Sequence, residues 1–305
     1  MLLNLKFHCS PPTFTLTSLA VGFFDGVHLG HQAILKGADA ALTFRNHPLT
    51  VLAPEKAPRL IMTPEDRIAA IRACGVKDVM VLEFTPELAE MPAETFASRR
   101  LSSPIAHLPS MIRCGENWRF GKGGAGDAAF LRKCGFAVEV APYVEYRGER
   151  VSSSRIRAAL ENGEIEDANA MMGRRFKVQG SRVKGKGLGE KIGYPTVNLE
   201  ISERESRECG ESSRIRLRCG VYEVEVGDVR GIANYGFAPT MGDRAWRTPV
   251  LEVHFPCHQP SDLDLRPSIP VFLVRFVRPE REFASTDDLK RQIAADVSHV
   301  FQSHG

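Results

Sequence analysis

The order of strand-like and helix-like segments changes once along this chain, near residue 172, and that change constrains the fold more than any single motif. From Leu16 to about Met172, apolar runs of strand length alternate with helical patterns. LTSLAVGFF reads as a strand entering a glycine turn; Thr63, Pro64, Glu65 and Asp66 supply an N-cap, a first-turn proline and early acids, and Ile68, Ala69 and Ile71 follow on one face. VKDVMVLEF, SMIRCG and FAVEVAPYV read as strands, AETFASRRL and GDAAFLRKCG as helices. Such alternation predicts a mostly parallel sheet with helices on both faces and ligands at the carboxyl ends of its strands. SRIRAALENGEIEDANAMMGR predicts two short helices around Asn162 and Gly163. From Phe176 to about Phe283 only short β-rich runs remain, separated by Gly and Pro, before the amphipathic segment TDDLKRQIAADVSHVFQ. That pattern predicts a small antiparallel barrel with a closing helix. The 305 residues therefore divide into an expected domain at 1–172 and a second at 173–305, each within the usual range of roughly 100–200 residues.

Composition narrows the function classes. With 40 Lys+Arg against 37 Asp+Glu the net charge is +3, and no basic stripe marks a nucleic-acid footprint. Seven cysteines, an odd number with no CxxC pair, read as reduced thiols rather than a disulfide framework or zinc site. No apolar run approaches the roughly 18 residues of a membrane span, and MLLNLKFHCSPPTF lacks the pattern of a signal peptide. The expectation is a cytoplasmic protein with small-molecule partners and neither nucleic acid nor membrane. No sequence feature fixes an oligomeric state.

Four segments of the first half carry chemistry. GFFDGVHLGH, Gly22 to His31, follows the first predicted strand. His28 and His31 fall one turn apart near a helix start, and Gly30 between them leaves the backbone accessible. Two imidazoles there can donate to phosphate oxygens where negative charge accumulates. TFRNHP puts His47 at the end of the second strand; GENWRFGKGGAGD, containing Asn117, follows another; SSSRIR offers Ser153 with Arg155 and Arg157. Each also has a bland reading, as a surface helix, a glycine-containing loop or a serine cap.

The second half carries three more. VKGKGLGEKIGYPTVN is glycine-rich, with Gly185, Lys186, Gly187 and Gly189, but is not a Walker A loop, because no GK[ST] follows the required spacing. After Pro195 the chain should be extended, so Thr196 and Asn198 face one side of a strand and offer neutral oxygens suited to Mg²⁺. In PVLEVHF, Glu252 and His254 alternate with Leu251, Val253 and Phe255, so Glu252 faces either solvent or a cleft where it could take a proton from a hydroxyl. RPEREF is expected to set Arg278 in a turn after the strand VFLVRFV, available to a phosphate.

The ordered set GFFDGVHLGH, TFxxHP, GENWRFGKGxxGD and SSSRIR, followed by GKGxGxxxGYPTVN, GVY, NYGxxPT, EVH and RPExxF, resembles the bacterial bifunctional riboflavin kinase/FAD synthetase family. The resemblance implies a Rossmann-like, HIGH-type nucleotidyltransferase domain followed by a riboflavin kinase-like antiparallel barrel. It implies ATP binding by Gly22, Phe24, Asp25, His28, Gly30 and His31, with Asn117 at the reaction centre and residues 152–157 over the phosphates. In the barrel it implies Mg²⁺-ATP on Thr196 and Asn198, Glu252 as general base, and Arg278 supporting the transferred phosphate. Riboflavin would become FMN, and FMN would become FAD with release of pyrophosphate. Two alternatives keep less of this: a riboflavin kinase with a weakened adenylyltransferase, and a non-catalytic flavin-binding module. A tRNA-charging enzyme, suggested by HLGH alone, lacks an anticodon-binding segment. Four departures stand out: a short AILKGADAAL between the first two strands, Asn46 where the family carries a proline, a longer charged stretch at 202–219, and an altered FPCHQPSDLDLRPSIP after His254.

Overall fold

The computed structural model describes residues 6–7, 17–101, 111–184, 188–201, 214–237, 249–256 and 268–302. Two compact units divide between Arg155 and Ile156.

The first unit contains β1 (Lys6–Phe7), β2 (Ser18–Val21), α1 (Leu29–Leu35), β3 (Ala40–Phe44), α2 (Leu49–Leu52), α3 (Pro64–Ala73), β4 (Asp78–Leu82), α4 (Pro86–Ala89), α5 (Ala93–Phe96), β5 (Met111–Gly115), α6 (Ala128–Lys133) and β6 (Ala137–Ala141). A hairpin follows, β7 (Glu145–Tyr146) with β8 (Glu149–Arg150). The sheet order is β1-β4-β3-β2-β5-β6. Every neighbouring pair from β4 to β6 is parallel, and β1 adds antiparallel to β4. The chain steps from β2 through β3 to β4 and then returns to the other side of β2 as β5, which creates a topological switch point between β2 and β5.

Two apolar clusters cover the sheet. One contains Leu19, Leu42, Phe96, Ile112 and Phe120. The other contains Ala20, Phe24, Leu35, Ala41 and Ile71. Because Leu19 and Ala20 are neighbours in β2 and fall in different clusters, the sheet is buried on both faces, as parallel sheets require. The predicted cap forms, with Thr63 Oγ1 accepting from Asp66 N at 3.0 Å, and Asp127 caps α6 in the same way, its Oδ1 accepting from Phe130 N at 2.8 Å. The short first crossover is compatible with the fold. A seven-residue α1 rises about 10 Å, and the chain regains the parallel register of Leu19 with Ala40 after a left-handed Gly37 at φ 76°.

The second unit begins inside α7 (Ser153–Asn162) and continues with α8 (Ile165–Met172), β9 (Phe176–Val183), α9 (Leu188–Lys191), β10 (Thr196–Glu200), β11 (Gly220–Val226), β12 (Val229–Gly236), β13 (Val250–His254), β14 (Ser268–Pro279) and α10 (Thr286–Gln302). The strands close a barrel in the order β10-β13-β12-β11-β14-β9, every pair antiparallel. Closure leaves no unpaired edge. Helix α8 belongs physically with the barrel: the Asn169 amide donates to Leu273 O at 2.9 Å and accepts from Phe176 N at 2.7 Å. Helix α10 covers Val221 and Ile232 with Val297, Val300 and Phe301.

On β11 Glu223 is 1 % exposed. Burial pushes its carboxyl up, but hydrogen bonds from Arg275 (2.7 Å) and Arg230 (2.6 Å) outweigh burial and hold it below the usual carboxylate range. Burial also pushes the Tyr222 phenol well up, and its hydroxyl donates to the Arg218 carbonyl.

Candidate active sites

In the first unit the carboxyl ends of β2 and β5 meet at the switch point, and each is followed by a segment singled out in the sequence. The loop after β2 is tightly wound. Phe24 (φ 58°), Gly26 (φ 82°) and Val27 (φ 37°) all lie in the left-handed region, which is unfavourable for Phe and more so for a β-branched Val. Three long-range hydrogen bonds and one local one hold it. The buried Asp25 carboxylate accepts from Ile61 N (3.1 Å) and Met62 N (3.3 Å). Ser153 Oγ donates to the Asp25 carbonyl at 2.9 Å, and Gln32 Nε2 donates to the Val27 carbonyl at 3.0 Å.

The loop ends on His28, the N-cap of α1, whose Nδ1 accepts from the His31 amide at 3.2 Å. The neutral ring therefore carries its hydrogen on Nε2. The two imidazoles stack, 3.6 Å between centroids and 16° between planes, and Phe24 meets His31 edge-on at 5.4 Å. Gly30 lies against this stack, where a Cβ would sit a tight 3.2 Å from the His28 ring. Gly22 is required by Phe24, whose ring would lie 2.8 Å from an added Cβ.

The other expected residues have different partners. His47 follows β3, takes the Leu49 amide on Nδ1 at 3.1 Å and meets Phe23 edge-on at 4.7 Å. Asn117 follows β5, and its Oδ1 accepts from Tyr143 OH at 3.0 Å. Phe24 is 1 % exposed, so its ring belongs to the core rather than to a ligand. Asp25 likewise clamps the backbone of residues 61 and 62. Arg155 folds onto the β7–β8 hairpin, donating to Tyr146 O and Glu149 O at 2.9 Å each. Arg157 is half-buried two residues further along α7. Asn46, at the position noted for lacking proline, is buried and ties the end of β3 to the chain after β4: it donates to Phe84 O (3.0 Å) and accepts from Phe84 N (2.8 Å).

The barrel site is a cavity of about 460 Å³. Strand register explains it. Asn198 on β10 pairs with Val183 on β9 and Glu252 on β13; Glu252 pairs with Asn234 on β12; Asn234 pairs with Val221 on β11, and Val221 with Arg278 on β14. One residue from each of the six strands thus forms a single transverse row, and all six line the cavity. Thr196 and His254, paired with each other, line it one step along the same face.

Glu252 is exposed to this cavity while its neighbours Leu251 and Val253 are buried in the core, the alternation expected from PVLEVHF. Thr196 and Asn198 present hard, neutral oxygens beside a carboxylate, a donor set that fits Mg²⁺. Arg278 differs from expectation. It lies within β14, not in a turn, and Asp296 on α10 takes its guanidinium: Nη2 to Oδ2 at 2.7 Å, Nε to Oδ2 and Oδ1 at 2.9 and 3.0 Å, with Nη1 donating to Pro279 O. Gln292 adds a 2.8 Å bond to Asp296. Gly189 borders the cavity. Gly185, Lys186 and Gly187 lie outside the described residues, as do most of the charged stretch after residue 201 and of the altered segment after His254.

Comparison with known proteins matches both halves of the chain. A family model for FAD synthetase matches residues 11–155, and one for riboflavin kinase matches residues 172–304. A bifunctional riboflavin kinase/FMN adenylyltransferase of Escherichia coli K12 is 33% identical over 298 residues, covering 91% of this chain and 90% of its own. The chain belongs to the bifunctional riboflavin kinase/FMN adenylyltransferase family. The relative of that name from Pseudomonas fluorescens is 34% identical, covering 91% of this chain and 90% of its own. A solved structure described as a macrolide-efflux protein from Streptococcus pneumoniae has a TM-score of 0.79 at 25% identity, covering 97% of this chain and 96% of its own. Among the described residues of this family member no helix is long and apolar enough to cross a membrane.

Sequence reading missed several side chains that hold these sites in the riboflavin kinase/FMN adenylyltransferase fold. Arg67 on α3 is fully buried, donates to Phe44 O (2.5 Å) and Arg45 O (3.0 Å), and lies 4.2 Å over the Phe23 ring that backs His47. Asn234 opens the motif NYGxxPT and Asp296 lies on the amphipathic last helix, but neither was given a role. A buried Arg in an otherwise ordinary amphipathic helix leaves no periodic signal, so only the contacts reveal it.

Proposed function

We propose that the two sites act in series on one flavin, with adenylyl transfer assigned to residues 1–172 and kinase chemistry to residues 173–305. In the barrel, the 5'-hydroxyl of riboflavin attacks the γ-phosphorus of ATP; the bond to the β,γ-bridging oxygen breaks and FMN and ADP form. The observation that carries this is the transverse row that sets Glu252 between Asn198 and Asn234 on a cavity of about 460 Å³, a volume within the range of small-molecule sites. Glu252 accepts the hydroxyl proton as the oxygen attacks. Magnesium, when bound with ATP, neutralises charge on the phosphates, and Thr196 and Asn198 would hold it. Arg278, already neutralised by Asp296, shapes the wall and keeps a fixed dipole near the phosphates.

In the first unit a phosphate oxygen of FMN attacks the α-phosphorus of a second ATP, and pyrophosphate leaves to give FAD. His28, with its hydrogen on Nε2, and the stacked His31 donate to the phosphate oxygens as charge builds. Gly22 and Gly30 let the Phe24 and His28 rings pack against the backbone, with His47 and Asn117 on the flanking strand ends. Neither reaction requires a covalent enzyme intermediate. Purified protein incubated with riboflavin, ATP and Mg²⁺, with products separated by chromatography, should show FMN and then FAD. FMN accumulating without FAD would sink the adenylyltransferase half and leave a kinase.

A further inference from the structure

The Glu-x-His motif of β13 leaves His254 without a part in either transfer step, yet it is the buried member of the pair. It lies two residues beyond Glu252 on the cavity face, is 9 % exposed, and stands opposite Thr196 in the ladder. Its Nδ1 lies 2.9 Å from the carbonyl oxygen of Pro195. A carbonyl only accepts, so Nδ1 carries the hydrogen. The ring also meets Tyr194 edge-on at 5.2 Å.

Those two partners are the exit of the glycine-rich turn. Tyr194 N donates to Gly189 O at 2.7 Å and Ile192 N to the same oxygen at 3.2 Å. The turn is closed so tightly that a Cβ at Gly189 would collide with the Tyr194 carbonyl. Pro195 has no N–H and cannot open the ladder itself. Regular pairing of β10 begins only at Thr196. The side chain of His254 therefore supplies a donor to the Pro195 carbonyl just ahead of the first regular rung.

The structure assigns His254 as a positioning residue: by fixing the Pro195 carbonyl it sets the direction in which the chain leaves the turn, and so places the Thr196 and Asn198 oxygens beside Glu252. This rests on the kinase reading above. Loss of the bond frees the start of β10, so nucleotide must order it on binding, and the loss falls on ATP rather than on riboflavin. Asparagine, whose amide can occupy the place of Nδ1, should restore the bond; glutamine and alanine should not.

The test compares the full-length protein with His254→Ala, His254→Gln and His254→Asn. Kinase KM values for ATP and for riboflavin are measured separately, together with amide exchange of residues 192–197 by mass spectrometry. In the Ala and Gln variants the ATP KM should rise about tenfold, the scale of one hydrogen bond, with the riboflavin KM within about twofold and faster exchange at 192–197. The Asn variant should lie near the parent in all three. An unchanged ATP KM, an equal rise in both KM values, or an Asn variant no better than Gln would overturn the assignment. If the Ala variant fails to fold, the Asn and Gln pair decides, and conversion of supplied FMN to FAD reports the other site in each variant. A parent protein that makes no FMN contradicts the kinase reading; a parent that makes FMN while the variants keep its ATP KM contradicts only the positioning role.

Discussion

The two sites of this chain are assembled by opposite means. In the parallel sheet, site residues sit on loops beyond the strand ends, and their positions depend on a backbone with Phe24 and Val27 at positive φ and on clamps such as Asp25 that reach 36 and 37 residues along the chain. In the barrel, Asn198, Glu252 and Asn234 sit within strands, and hydrogen-bonded register alone brings them into one row. A parallel sheet buried on both faces has no free face to offer, so its chemistry moves to its ends. The antiparallel strands of the barrel alternate, so they can give one face to the core and one to a cavity.

That contrast predicts how each site breaks. The largest effect is expected from Glu252→Gln, which keeps strand and register but removes the base: FMN formation should fall about 10²–10⁴-fold, while conversion of supplied FMN to FAD is unchanged. Equal FMN formation by variant and parent would discard the base assignment. His28→Asn tests the loop-built site in the same spirit. Asn caps a helix well, so α1 should survive, but the Nε2 donor is lost; FAD formation should drop about 10²–10³-fold with riboflavin phosphorylation intact.

Asp25→Ala removes the clamp without touching either histidine. The amides of Ile61 and Met62 lose their buried acceptor, and thermal or denaturant unfolding should show a loss of about 1–3 kcal/mol. An unchanged melt would mean the loop holds itself. The smallest effect is pH-dependent. Because the Glu223 carboxyl is held below its ordinary value of 4.5, its ion pairs should contribute in full above about pH 4.5 and be lost as pH falls further. Melts between pH 7 and 3 should fall less steeply for Glu223→Gln, by about 1 kcal/mol, since Arg230 and Arg275 are partly exposed and screened.

Much of this was legible before any coordinates. The alternation of strands and helices anticipated the parallel sheet, the short β-runs anticipated the barrel, and period-2 and period-3.6 spacing put Thr196 with Asn198 and His28 near His31. Residue roles were harder to read. Arg278 and Arg155 looked free for phosphate, yet one is held by Asp296 and the other by carbonyls of a hairpin. Phe24 and Asp25 looked like ligand contacts, yet one fills the core and the other clamps a distant turn.

The chain's local order alone determined the two architectures, the face each motif residue would occupy and the family it resembles, because secondary-structure period and turn chemistry act over a few residues. Tertiary structure decided which polar groups are already spoken for. Pro195 and His254 are 59 residues apart, Arg278 and Asp296 are 18 apart, and Asp25 reaches Ile61 across 36. Such pairings are set by strand register and helix packing, and no local pattern records them.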